Sequence, residues 1–142
     1  MRSRLVSVAT NLERMGDHAA GIARLTLRLC DQPMLSTSLK IPEEADIARH
    51  MMRGALDAYL KRDVPLAEQV AQQDKLINRL HERIYRELLD EMMRDPTAIE
   101  RATFLLWISH GLERIGDRSK NICERAIYLA TGQLVELGHP DR

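Results

Sequence analysis

Asn11-Leu12-Glu13-Arg14-Met15-Gly16-Asp17 returns one hundred residues later as Gly111-Leu112-Glu113-Arg114-Ile115-Gly116-Asp117, with five of the seven positions identical. A near-copy at the spacing of a whole structural unit reads as an internal duplication. The flanks share one register. Leu105, Ile108, Leu112, Ile115, Ser119, Ile122, Ala126 and Leu129 step by three and four residues, and Leu5, Val8, Leu12, Met15, Ala19, Ile22, Thr26 and Leu29 repeat that spacing. Each series is one seam of a long helix that packs in coiled-coil fashion inside a bundle.

Working outward, the punctuation divides the chain into four helices and assigns it to the all-α class, as an antiparallel helical bundle. The first helix runs from about Ser3 to Leu29, and Asp31-Gln32-Pro33 stops it. Residues 32–41 read as a linker. Pro42, followed by Glu43, Glu44 and Asp46, opens a second helix whose acids suit the positive end of the dipole. Asp63-Val64-Pro65 and Asp95-Pro96 are two further starts, with Asp63 as an N-cap. A third helix over 63–94 is therefore expected, then a fourth that ends at Gly132 as C-cap. The tail after Leu137 is expected to fray.

Composition agrees with helices: aromatics are 4%, hydrophobic residues 44% and charged residues 30% of the 142, which favours helix formers over strand formers. Lys plus Arg equals Asp plus Glu at 21 each. No overall basic field exists to attract nucleic acid or an anionic membrane. The longest apolar run, Phe104–Ile108, is far too short to span a bilayer, and Met1-Arg2-Ser3-Arg4 leads into no signal-peptide core. Cys30 and Cys123 lack CxxC spacing and are expected as buried free thiols of a cytoplasmic protein. The methionines after Met1 read as core fillers.

Two features of the repeated motif cost stability. Gly16 and Gly116 lie inside long helices, where glycine costs about 1 kcal/mol relative to alanine; close approach of a neighbouring helix is the expected return. Glu13 and Asp17, like Glu113 and Asp117, are carboxylates at i and i+4, a repelling spacing. A cation between them removes the repulsion, and hard oxygen donors suit iron, manganese or magnesium. With Leu112 at zero, Glu113 falls at about 100°, Asp117 at about 140° and Glu124 at about 120° around the helix, so the acids flank the core seam. His18 and His110 are adjacent candidates, and Asp74 is placed to face the last helix. The plainer reading is a solvated flank with Arg14 and Arg114 paired to neighbouring acids. The two readings stand near balance because the pattern occurs twice. No nucleophile triad or glycine-rich phosphate loop is present.

Leu12-Glu13-Arg14-Met15-Gly16-Asp17-His18 and Leu112-Glu113-Arg114-Ile115-Gly116-Asp117-Arg118 resemble the repeated acidic motif of the PhoU family. Asp63 to Ala67 with Val70, Asp74 and Ile77 is similar to that family's middle helix, and Asn121-Ile122 with Glu124 extends its last-helix signature. The resemblance implies three-helix repeats in tandem, of which this chain holds the last helix of a first repeat (1–31), the linker (32–41) and a complete second repeat (42–142), without the first two helices. It further implies a non-enzymatic regulator of phosphate uptake and phosphate-starvation signalling at the inner membrane, bridging the ATPase subunit of a phosphate ABC transporter and a sensor histidine kinase. Metal ligands carried over are Glu113, Asp117, Glu13 and Asp17, with Asp74, Asn121 and Glu124 in second rank and Fe, Mn, Mg or Zn as the ion. In the first copy Gly21 replaces Asn121 and Arg24 replaces Glu124, so that site is poorer in oxygen donors. The apolar first helix is expected to pack on the second repeat or on a second copy in a homodimer. The alternatives are a metal-dependent enzyme on a helical bundle and a structural adaptor that binds no metal.

Overall fold

The computed structural model describes residues 2–137, with side chains from Val6 onward. Helix α1 (Arg2–Leu29) is followed by a short 3-10 turn (Ser36–Lys40), α2 (Ile41–Lys61), α3 (Val64–Gln72), α4 (Asp74–Arg94), a second 3-10 turn (Pro96–Ala98) and α5 (Ile99–Thr131). The expected four-helix bundle is present, and its third rod is interrupted. At Gln73 the amide bonds back to Val70 O at 3.0 Å, and Leu76 N bonds to Gln73 O at 2.9 Å. This tight turn separates α3 from α4 and places Asp74 in the first turn of a new helix, where the dipole favours a carboxylate.

The punctuation acts as local chemistry requires. Asp63 accepts from Leu66 N at 3.0 Å, and Asp95 accepts from Thr97 N at 3.0 Å. Gly132 closes α5 in the left-handed region, at φ 73°, a conformation that costs glycine no Cβ clash. The tail beyond Leu137, expected to fray, lies outside the described residues.

Helix α5 is the central rod, touched by α1, α2, α3 and α4. Its 33 residues cover roughly 50 Å at about 1.5 Å per residue. The predicted α5 seam is buried from Leu105 through Ala126, and Leu129 is half-buried. A second buried line, Gly116, Lys120, Cys123 and Ile127, runs beside it, so α5 is wrapped rather than faced. Helix α1 runs antiparallel to α5: Ile22 meets Gly111, whereas Ser7 shares a cleft with Arg125.

Several expectations are corrected here. On α1, Val8 and Met15 are buried, but Leu12, Ala19 and Thr26 face solvent. The contact face instead passes through Asn11, Met15, Ile22, Leu25 and Leu29, because α1 is apolar on two sides and only one meets α5. Leu5 of that seam lies outside the described side chains. The linker is packed as well as connective: Leu35 is buried among Ile84, Leu88 and Leu105, Lys40 pairs with Glu87, and Arg101 donates to Pro33 O at 2.9 Å. Cys123 is buried, whereas Cys30, past the end of α1, is exposed. Met15 and Met51 are core residues, but Met34 and Met93 are exposed. No helix among the described residues is long and apolar enough to cross a membrane.

Candidate functional site

The motif glycines differ in their surroundings. A Cβ on Gly116 would stand 3.2 Å from Ile77 Cγ2 and 3.5 Å from Met51 Sδ, so α2 and α4 approach α5 closely at this position. A Cβ on Gly16 would meet nothing within 4 Å. The expected close approach is therefore made at the second copy and not at the first, since Gly16 lies on the side of α1 turned away from α5.

Glu113 and Asp117 are half-buried, one turn apart on α5. Burial, followed by the charge of Asp117 and a hydrogen bond between the two carboxyls, pushes Glu113 up to about 7; Arg114 opposes this and Asp74 adds to it. Glu113 thus keeps its proton up to about neutrality, while Asp117 Oδ2 lies 3.8 Å from an Arg114 guanidinium nitrogen. Asp74 reaches the same region from α4 and is almost fully buried. Its Oδ2 lies 3.5 Å from Lys120 Nζ and accepts from Asn78 at 3.1 Å, so a cation already serves it. Glu13 and Asp17 stand exposed on α1. Asn121 and Glu124 line a separate cleft towards α1, and Glu124 Oε1 accepts from Leu137 N at 3.1 Å. The fold accordingly sets Asp74 within electrostatic reach of the Glu113–Asp117 pair, without gathering the three into one cluster, and leaves the other four expected ligands apart.

Three helices add a polar network of Glu44, Ser109 and His81 that the spacing of the sequence does not single out. Ser109 Oγ donates to Glu44 Oε1 at 2.9 Å, and His81 Nδ1 lies 2.7 Å from the same hydroxyl. With the serine proton given to Glu44, the imidazole N–H donates to Ser109. Burial pushes Glu44 up to about 8, partly offset by the Ser109 bond and reinforced by Glu113. Burial likewise lowers His81, with His110 acting in the same direction and Asp117 against it; the His81 and His110 rings are 6.1 Å apart. Glu44 lies in the first turn of α2, where its sequence position suggests an acid facing the helix dipole, and it is instead fully buried. Its register with Ala48, Met51, Ala55 and Ala58 was the available signal for burial, and His81 shares the seam of Ile77, Ile84 and Leu88 in the same way.

These donors do not form a preassembled closed metal centre. Among the described residues, no three of His, Cys, Asp or Glu stand close enough to hold one ion. The Glu113–Asp117 pair offers two oxygen-donor groups, which matches a hard divalent ion that keeps most of its waters and not a fully protein-coordinated one. His18, on α1, is half-buried; burial first, then the neighbouring Arg118, Arg114 and His110, hold its pKa below the usual histidine range, with Asp17 opposing.

The arrangement has close counterparts. A family model described as the PhoU domain matches residues 41–126. A phosphate-specific transport system accessory protein PhoU homolog from Clostridium acetobutylicum is 38% identical over 132 residues, covering 93% of this chain and 60% of the relative. A protein of the same description from Pseudomonas putida is 42% identical, covering 86% of this chain and 48% of the relative. The chain therefore spans about half to three-fifths of the length of these curated relatives. The crystal structure of PhoU from Pseudomonas aeruginosa superposes with a TM-score of 0.86 at 37% identity, covering 93% of this chain and 66% of that one. The phosphate transport system regulatory protein PhoU from Streptococcus pneumoniae gives 0.84 at 33% identity, covering 94% and 63%.

Proposed function

The chain belongs to the PhoU family, and from that premise we propose that it regulates phosphate uptake and phosphate-starvation signalling through protein contacts, as a binding protein and not a catalyst. Its partners are the ATPase subunit of a phosphate ABC transporter and a sensor histidine kinase, which it meets as a cytoplasmic protein held at the inner membrane by them. The observation that carries this reading is the match, along almost the whole chain, to proteins described as phosphate transport accessory or regulatory proteins. Pull-down of the two partners by the 142-residue chain tests it; retention of neither removes the proposal.

The same reading includes a metal-capable motif. Glu113 and Asp117 are the ligand pair, because they are half-buried carboxyls one turn apart and Glu113 holds a proton that a divalent or iron-type ion would displace; the bound ion would supply positive charge between the two carboxylates. Asp74 is electrostatically close but served by Lys120, and the exposed Glu13 and Asp17 hold an ion less well. Binding must strengthen as pH rises through about 7, where Glu113 gives up its proton. Elemental analysis of protein purified without chelator should show metal that Glu113→Ala with Asp117→Ala removes and Glu13→Ala with Asp17→Ala largely keeps. Unchanged metal content in the first variant would sink the assignment.

A homodimer completes the proposal. Val6, Leu12 and Leu27 remain exposed on α1 opposite its contact with α5, and Gly16 lies on that same side with room for a close neighbour. A second copy seated there buries this face. Sedimentation equilibrium should give a dimer that Leu12→Lys with Leu27→Lys converts to a folded monomer; a monomeric parent at micromolar concentration contradicts it.

A further inference from the structure

A cleft of about 500 Å³ lies between α1 and α5, bounded at one end by the segment after Gly132. Arg14 projects into it from α1, and Arg118 and Arg125 from α5. None of the three forms a hydrogen bond or close ion pair among the described residues, although Arg94, Arg114 and other arginines do. Arg14 and Arg114 each repel Arg118. Asp117 partly offsets this at Arg118, and Arg125 is attracted to Glu124, but positive charge remains in excess along the cleft, which favours an anion joining it. The carboxylates on the rim do not resolve this. Glu124 already accepts from Leu137 N, and with Glu136 it leaves two acids against three arginines. Asn11 and Asn121 contribute amides from the two facing helices.

We propose that this cleft binds a small phosphate-bearing anion, its oxygens held by Arg14, Arg118 and Arg125 and its orientation set by Asn11 and Asn121. A guanidinium presents a planar fork that matches phosphate oxygens in pairs, and forks arriving from two antiparallel helices surround such a group instead of touching one side. The volume falls in the range of small-molecule sites and exceeds what one inorganic phosphate fills, and Leu134 and Val135 offer an apolar wall for a larger body. The site is separate from the Glu113–Asp117 pair, and it stands whether or not that pair holds a metal.

The test is isothermal titration of the full 142-residue chain with inorganic phosphate, pyrophosphate and AMP, with chelator present throughout and chloride matched for ionic strength. Saturable binding of at least one of them is expected, weakened tenfold or more by Arg118→Ala and by Arg125→Ala. Arg118→Lys should weaken it less, and Asn121→Asp, which puts a negative charge in the cleft, should abolish it. The distant, exposed Arg53→Ala should leave it unchanged. Circular dichroism of each variant separates lost binding from lost fold. AMP binding tighter than phosphate assigns the site to a nucleotide, and the reverse assigns it to the free anion. Heat no different from the chloride control, or affinities of Arg118→Ala and Asn121→Asp within twofold of the parent, overturns the proposal.

Discussion

Glu44 holds its carboxyl at 0% exposure, with Ser109 as donor to one oxygen and no partner for the other. Its pKa is raised from 4.5 to about 8, so the folded state binds the proton more tightly than the unfolded chain does. The stability this contributes is complete below about 4.5, declines as pH rises, and is gone above about 8. The whole effect is on the order of a few kcal/mol at about 1.4 kcal/mol per pKa unit. Glu44→Gln keeps an acceptor for Ser109 and cannot ionise. Urea unfolding at pH 5 and pH 9 should show the parent losing stability across that interval and the variant losing much less; parallel losses would contradict the argument. The motif glycines allow a second comparison. In the monomer, Gly16→Ala should stabilise by about 0.5–1 kcal/mol, since the helix gains propensity and no residue of the same chain stands near it. Gly116→Ala must displace Ile77 or Met51 and should fall below Gly16→Ala by about 1 kcal/mol or more. Gly54→Ala should cost about 1–3 kcal/mol, because its Cβ would stand 2.5 Å from Val70 Cγ2.

Helix α1 is the element whose buried face the apolar spacing misplaces. Met15, buried against α5, should cost about 2–4 kcal/mol when truncated to alanine, whereas Leu12→Ala, on the outer side, should stay within about 1 kcal/mol in thermal unfolding of the monomer. Both positions belong to one regular spacing, so periodicity alone could not rank them; α1 carries apolar residues on two sides, and the choice is made by α5. Helix ends were legible because their causes are local: Asp63, Asp95 and Gly132 each act within a few residues. The interruption at Gln73 was not, since neither proline nor glycine marks it and the apolar spacing runs on through Ile77. The α5 seam was readable for a related reason, as one side chain in three or four needed cover along its whole length. The acidic pair of the second copy is legible from its spacing, while nothing in the sequence distinguishes Lys120, which pairs with Asp74, from other lysines. Only the fold shows that it lies on the second buried line of α5.

For the whole molecule, thiol reactivity separates surface from centre. Cys30 is exposed, while Cys123 is fully buried and its thiol is pushed up to about 12 by burial, with Glu124 adding and its own backbone opposing. A thiolate is needed for alkylation, so native labelling followed by mass spectrometry should modify Cys30 rapidly and Cys123 only on the timescale of global opening. Equal rates would mean that the bundle opens around α5 far more readily than its packing implies. The balanced charge of the chain also conceals a local asymmetry, with acids gathered where α2, α4 and α5 meet and arginines where α1 crosses α5. The buried Asp74–Lys120 pair spans α4 and α5 at the edge of the acidic region. Aliphatic seams with a regular repeat tolerate sliding, because one leucine replaces another a turn further along. A slip of α4 by one turn would instead strand a carboxylate and an ammonium in apolar surroundings, at a cost of several kcal/mol. Together with the His81–Ser109 bond between the same two helices, that contact acts as a ratchet stop against alternative alignments that hydrophobic packing alone would accept.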